Sequence, residues 1–427
     1  MDYQQYPRND VLCIDMRSFY ASIEAVKLGL DPMKTMLAVV GDLSRSGSIV
    51  LAASPALKKK YGINNVSRYF ELPHDPMIHI VQANMADYLH VSIQITKLLH
   101  RFAPREAIHT YSVDEIWITM NGLKHLYGEP WESARNIQTA ILNYFGITSV
   151  IGIGDNKFLA KVVMDLMAKK SVTGIAKCAY EDVSTLLWPV PVEEIWGIGS
   201  RLKKRLYRLG ITTLGQIAQF PLGQLKKQFG IMGEQLYWHA WGIDLSPVLG
   251  DFTKTTQKSF GHGISLLRNY TAKETLVCIL DLCEESCRRA RAARQVGQTI
   301  HLAISYSTDT GGGGFNRSTS NFSPTNITLE MYQICVQLFQ RFYDGTSLIR
   351  RVTVSLANLQ NDKDIQLDFF SNRHVYKDID YVMDYIRNQY GTTAILRASS
   401  YSDAGITLDR SKKIGGHYAQ SEQNIKK

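Results

Sequence analysis

The chain has 427 residues, of which 45% are hydrophobic. That is enough apolar material for several cores, and the length predicts about two to four domains. Lys and Arg exceed Asp and Glu by 48 to 39, a formal net charge of +9, which points to an anionic partner without choosing among nucleic acid, ribosome and membrane surface. The six cysteines are scattered, with no Cys-x-x-Cys pair and no Cys/His cluster; this argues against zinc and for reduced thiols in a cytoplasmic protein. The first ten residues are polar and no long apolar span follows, so the reading predicts neither a signal peptide nor a membrane span.

Val11-Leu12-Cys13-Ile14 reads as a short buried strand ending in Asp15. Residues 18–28 form a helical pattern, 36–41 a buried strand closed by glycine, 42–47 a turn and 49–53 a second apolar strand. Pro55 then opens a helix in its first turn. Lys58-Lys59-Lys60 closes that helix, where cations suit the macrodipole. Residues 85–102 make a long helix that Pro104 stops.

Tyr111-Ser112-Val113-Asp114-Glu115-Ile116-Trp117-Ile118 follows, two adjacent acids inside a run of strand formers. On a regular strand the pair would be split across the sheet. A turn at Val113-Asp114 would bring both acids to one side at a hairpin end; a plain surface turn capped by acids is the alternative. If Asp15 meets them, three carboxylates make a hard-oxygen site suited to Mg²⁺. Two such ions activate a hydroxyl nucleophile and stabilise a leaving oxygen in phosphoryl transfer.

Residues 131–145 read as a helix, 149–154 as a buried strand and 156–169 as a helix. The strand–helix–strand–strand–helix–strand order predicts a ferredoxin-like sheet with a small β-rich insertion after its first helix. Gly152-x-Gly154 is a weak phosphate-loop signal, because no Walker or dinucleotide pattern completes it. Residues 195–214 hold a helix–hairpin–helix pattern around Gly197 and Gly199. Its exposed N–H groups suit a DNA phosphate. An unliganded interhelical turn is the alternative, and the basic residues Lys203, Lys204, Arg205 and Arg208 favour DNA.

Residues 245–258 read as a linker. Strand 259–267, helix 271–295, strand 298–306, strand 315–322, helix 327–343 and strand 349–358 then predict a second split βαβ-type domain. Cys283 and Cys287, one helical turn apart, read as core thiols. Arg288, Arg289, Arg291 and Arg294 cluster on the same helix, as a solvated face or as phosphate contacts. In the tail, Gln366-Leu367-Asp368-Phe369-Phe370 is a compact apolar segment beside polar residues, suited to a partner's groove or to the chain's own core. Residues 375–390 read as helix and 392–398 as strand.

Asp15-Met16-Arg17-Ser18-Phe19-Tyr20-Ala21-Ser22-Ile23-Glu24 resembles the first motif of the Y-family translesion DNA polymerases, and Ser112-Val113-Asp114-Glu115 resembles their second acidic motif. The wording is nearest the UmuC branch. The resemblance implies an α+β right hand: a ferredoxin-like palm at 1–24 and 84–176, fingers at 25–83 and a helix–hairpin–helix thumb at 177–246. A linker at 247–258, a little finger at 259–359 and a tail at 360–427 complete it. It implies DNA-templated addition of dNTPs to a primer end opposite damaged template, with two Mg²⁺ ions, or Mn²⁺, held by Asp15, Asp114, Glu115 and the Met16 carbonyl.

By the same resemblance Phe19 and Tyr20 contact the incoming nucleotide, Tyr20 as the steric gate beneath the sugar. Lys59 and Lys161, the latter in Asn156-Lys157-Phe158-Leu159-Ala160-Lys161, hold the triphosphate. Two further triphosphate contacts of the family fall on Ala53 and Ala56, a departure that leaves Ser54 as the neighbouring hydroxyl. Gly197, Gly199, Lys203, Arg288 and Arg291 become DNA contacts, and Gln366, Leu367, Phe369 and Phe370 resemble a peptide that binds the bacterial β clamp. A different two-metal palm enzyme, such as a nucleotide cyclase, and a non-catalytic DNA-binding protein are the rivals; the helix–hairpin–helix opposes the first and the complete acid set the second.

Overall fold

A computed structural model describes residues 1–252, 257–362 and 373–420. They form two compact units, residues 1–252 with 417–420, and residues 257–362 with 373–416.

The first unit is built on the strands β1 (Val11–Met16), β2 (Leu37–Val40), β3 (Val50–Ala53), β4 (His79–Gln82), β5 (Ile108–Thr110), β6 (Glu115–Thr119), β7 (Ser149–Gly154) and β8 (Ile175–Cys178). Between them lie the helices α1 (Phe19–Lys27), α2 (Pro55–Tyr61), α3 (Met85–Leu99), α4 (Lys124–Tyr127), α5 (Pro130–Phe145) and α6 (Lys157–Val163). One sheet has the order β5-β6-β1-β7-β8, and its first four strands follow the ferredoxin-like arrangement. Side chains alternate across it. Leu12, Ile14, Ile116, Ile118 and Ile151 face one core, while Val11, Cys13, Trp117 and Val150 pack on Ala160 and Met164 of the α6 side. The smaller sheet, β3-β2-β4, is inserted after α1 and closes on Leu57 of α2.

Two glycines set how near α6 lies to the sheet. A Cβ at Gly152 would sit 2.1 Å from the Ala160 carbonyl oxygen, and one at Gly154 would sit 2.5 Å from the Ala160 nitrogen. The Gly-x-Gly signal is therefore a packing requirement. Beyond β8, the helices α7 (Ser200–Arg208), α8 (Leu214–Gln219), α9 (Leu222–Phe229) and α10 (Ile231–Ala240) enclose Leu206, Leu214, Ile217 and Leu225.

The second unit runs β9 (Ser259–Tyr270), α11 (Ala272–Ala292), β10 (Gln295–Tyr306), β11 (Gly314–Thr325), α12 (Thr328–Phe342), β12 (Ile349–Asn361) and α13 (Arg373–Tyr390). Its sheet order is β11-β10-β12-β9, with β12 antiparallel to both β9 and β10. β9 and β10 are thus parallel strands split by a third. Cys283 and Cys287 lie in the core under this sheet, and all six cysteines are free and buried.

The tail corrects the reading of the arginine cluster. Arg291 is only 4% exposed. Its guanidinium pairs with Asp384 at 2.6 Å and Asp380 at 3.1 Å, and donates to the Asn326 carbonyl at 2.8 Å. It anchors α13 on α11 and is not available to a DNA phosphate. Arg288 is half-buried and pairs with Glu285 at 3.0 Å. Residues 392–398 are not a strand: Arg387 and Arg397 each reach Glu284 at 2.6 Å, and Arg387 donates to the Ile395 carbonyl at 2.9 Å, so ion pairs rather than a ladder fix this segment. Gln366, Leu367, Phe369 and Phe370 lie outside the described residues.

Removing one member of a buried pair leaves the other charge uncompensated, at about 3–5 kcal/mol. Arg291→Ala is expected to lower unfolding free energy by about that amount in a urea titration and to expose α13 to proteolysis. A variant of wild-type stability with weakened DNA binding would return Arg291 to the DNA face.

Candidate active site

β1 and β6 pair so that Asp15 stands opposite Glu115. Both lie on the α6 side of the sheet, as their parity with Cys13 and Trp117 requires. Asp114 belongs to the turn before β6. The Ser112 hydroxyl holds that turn: it accepts from the N–H of Asp114 at 3.3 Å and of Glu115 at 3.1 Å, and donates to Asp114 Oδ1 at 2.6 Å. The Met16 N–H donates to the Asp114 carbonyl at 3.0 Å, which fixes the acidic turn against the end of β1. Asp15, Met16 and Asp114 line one cleft of about 470 Å³ with Ser18, Phe19, Tyr20, Lys58 and Lys169.

Glu115 is held away from this cleft. Its Oε2 is 2.5 Å from Lys161 Nζ, and its Oε1 accepts from Cys13 Sγ at 3.5 Å. Lys161 is 5% exposed and also meets Asp165 at 3.1 Å. Asp165 in turn meets Lys169 at 2.8 Å, and Lys169 meets Asp15 at 3.3 Å. Burial lowers the proton affinity of Lys161, but the hydrogen bond and charge of Glu115 outweigh it and the net shift is upward. Burial pushes the Asp15 carboxyl up to about 6, against the opposing pull of Lys169. The turn of π-helix at Met164–Ala168 adds a residue to the helical path between Lys161 and Lys169 and presents Lys169 to the cleft.

Among the described residues, no three His, Cys, Asp or Glu side chains already form a metal cage. The cleft still offers hard oxygen donors in Asp15, Asp114 and the Met16 carbonyl, and the Lys169 ammonium rests on Asp15 as a cation would. These residues fit a divalent ion, and Glu115 joins them only on leaving Lys161.

Tyr20 is fixed by its neighbours. Its ring stacks on Tyr88 with centroids 4.4 Å apart, and the buried Tyr88 hydroxyl donates to Glu24 at 2.9 Å. Phe19 is buried in the core at the cleft wall. Ser18 adopts the left-handed conformation, φ +47°, uncommon for a residue with a side chain. This sharp turn starts α1 at the cleft, where its first N–H groups favour an anion.

Two lysines differ from the sequence expectation. Lys59 is exposed and lies outside the cleft lining. Lys58 lines the cleft and donates to Ser18 Oγ at 3.2 Å; one helix position turns a side chain by about 100°. Lys161 pairs with Glu115 and is not among the residues that line the cleft, whereas Lys169 is. The ladder Lys161, Asp165, Lys169 at i,i+4 spacing was the available signal. Ser54 caps α2 through the Leu57 N–H at 3.3 Å and accepts from Leu37 at 3.0 Å, so its hydroxyl does not serve the cleft.

Gly197, at φ +92°, and Gly199 form the hairpin before α7 with open space around them. Lys203 pairs with Glu193 at 3.0 Å on the surface. Among the described residues, no helix is long and apolar enough to cross a membrane.

Comparisons with known proteins agree on one family. The impB/mucB/samB family profile matches residues 14–165 and its C-terminal domain profile residues 257–369. The profile of the DNA polymerase-iota thumb domain matches residues 193–244. The chain is 48% identical to UvrX, described as a UV-damage repair protein, of Bacillus subtilis, over 98% of this chain and 99% of that protein. It is 40% identical to DNA polymerase IV 2 of the same organism, over 96% and 98%. A solved Y-family DNA polymerase chimera of Dbh and Dpo4 superposes with a TM-score of 0.65 at 24% identity, covering 82% of this chain and 98% of that one. The chain belongs to the Y family of DNA-directed DNA polymerases, on its UmuC- and UvrX-like branch.

Proposed function

We propose that the cleft between β1, α1 and α2 adds deoxynucleotides to a templated primer end opposite damaged bases, using Asp15, Asp114 and Glu115. The observation that carries this reading is the meeting of Asp15 and Asp114, far apart in sequence, in one cleft beside two lysines. Divalent cations, two Mg²⁺ by preference, supply Lewis acidity at the primer hydroxyl and the triphosphate oxygens when bound. Asp15 and Asp114 bind them as carboxylates; the ion pair with Lys161 holds Glu115 at the same end of the sheet. Lys58, Lys169 and the first N–H groups of α1 hold the triphosphate. Tyr20, braced by Tyr88, lies beneath the sugar. The small residues Ala52 and Pro55 in the cleft wall leave room for a distorted template base.

Asp114→Ala is expected to abolish primer extension while leaving primer–template affinity within a few-fold, because duplex affinity comes from phosphate contacts elsewhere. Glu115→Gln is the matching variant, since alanine would strand the Lys161 ammonium. Normal extension by either overturns the assignment.

Tyr20→Ala is expected to incorporate ribonucleotides at rates near those of deoxynucleotides, read by gel with each nucleotide set. Retained activity with undiminished rejection of ribonucleotides places the gate elsewhere.

Asp15 carries a linkage to pH. Its folded value, about 6, exceeds the unfolded value of about 3.9. The protonated form is therefore the one the metal-free fold favours, and its stabilising contribution is complete below about pH 4 and lost as pH rises through about 6. Asp15→Asn is expected to raise the metal-free melting temperature at pH 8, leave it unchanged near pH 4, and abolish extension. A lower melting temperature at pH 8 contradicts the burial argument.

We further propose that Gln366, Leu367, Phe369 and Phe370 tether the enzyme to a β clamp, raising its concentration at the primer end. Alanine at Leu367, Phe369 and Phe370 is expected to abolish clamp stimulation and spare unassisted synthesis. Unchanged clamp binding in a titration refutes the tether.

A further inference from the structure

The second unit contains a cavity that the polymerase reading leaves unused. It holds about 260 Å³ between α11 and the tail. One wall is the α11 face bearing Asp281, Glu284, Glu285 and Arg288; the other includes Arg387, Arg410 and Lys413. The pocket therefore exists only while the tail is docked.

Its carboxylates are already engaged. Glu284 accepts from Arg387 and Arg397, each at 2.6 Å. Glu285 accepts from Arg288 at 3.0 Å. Asp281 accepts from the Ser400 hydroxyl at 2.6 Å and from the N–H groups of Ile406 at 2.8 Å and Thr407 at 3.2 Å. Lys413 pairs with Asp409 at 2.6 Å. Arg410 is the exception. It is half-buried, and among the described residues its guanidinium donates no hydrogen bond and meets no carboxylate. Burial holds its proton affinity below the ordinary guanidinium value, with Glu285 only partly offsetting this. Beside it are the hydroxyl of Thr407 and that of Ser411, which donates to the Leu408 carbonyl at 2.8 Å.

A desolvated guanidinium with a full set of unused donors is costly, and a bidentate oxyanion is the partner its fork matches. We propose that this pocket binds a phosphate monoester or free phosphate, gripped by Arg410 with the hydroxyl of Thr407. Four cationic side chains line the cavity against three carboxylates, all three of which already accept hydrogen bonds, so an added anion is not repelled on balance. The volume exceeds what a bare halide needs and admits a phosphate carrying part of a nucleoside. A ligand there would touch both α11 and the tail, and would stabilise the docked tail by mass action.

The test uses the full chain, because phosphates also enter the catalytic cleft. Melting temperature is read against inorganic phosphate, dAMP and deoxyadenosine, at constant ionic strength with sodium chloride. Phosphate and dAMP are expected to raise it in the wild type, and deoxyadenosine to leave it unchanged. Arg410→Gln and Thr392→Trp, the latter narrowing the mouth with the ion pairs intact, are both expected to weaken the effect about tenfold or more, with primer extension unchanged. A stronger effect of dAMP than of phosphate identifies a nucleotide site; equal effects identify a free-phosphate site. The proposal falls if the wild type shows no shift. It falls equally if Arg410→Gln keeps the full shift, which then belongs to the catalytic cleft. If Arg410→Gln does not fold, Thr392→Trp decides between the same outcomes.

Discussion

The site depends on a single buried ion pair, Lys161 with Glu115 at 2.5 Å. Two charges out of water lose solvation that their attraction only just restores, so the pair persists where geometry leaves no alternative. Gly152 and Gly154 provide that geometry by letting α6 approach β7 more closely than any Cβ would permit. From Lys161 the charges continue through Asp165 and Lys169 to Asp15. Two carboxylates opposite each other on adjacent strands are thus separated and neutralised by two lysines on one helical path. Without that web, Asp15 and Glu115 would repel one another across the edge of the sheet.

Much of this was legible in the sequence because the relevant signals are local. A buried strand ending in Asp15, a turn at Asp114 and a helix opened by Pro55 each depend on neighbouring residues. The two acidic motifs then identified the chemistry through resemblance. Signals depending on helical phase were weaker. Lys58 and Lys59 are adjacent, and only the packed orientation of α2 separates them. The π-helical turn that brings Lys169 to the cleft has no periodic signature, so its place there was not legible.

The tail was the least legible part for the opposite reason. Arg291 and Asp384 are 93 residues apart, and nothing local in the run Arg288 to Arg294 marks one member as interior. A cluster of arginines in a DNA-binding protein reads as a phosphate contact, yet the tail supplies Asp380 and Asp384 as its partners. The segment 392–398, with its strand-like composition, is fixed by Glu284 instead of by a neighbouring strand. In both cases tertiary charge pairing overrides local pattern.

The central claim is a division of labour: Lys161 positions Glu115, and Lys169 meets the triphosphate. Steady-state primer extension by Lys161→Met and Lys169→Ala, with dNTP and Mg²⁺ varied separately, tests it most directly. The account predicts that Lys169→Ala raises KM for dNTP about tenfold, the loss of one charge-assisted contact. It predicts that Lys161→Met instead lowers kcat and changes the Mg²⁺ dependence with KM for dNTP little altered. A selective rise in KM for dNTP in Lys161→Met, with Lys169→Ala unaffected, would contradict it.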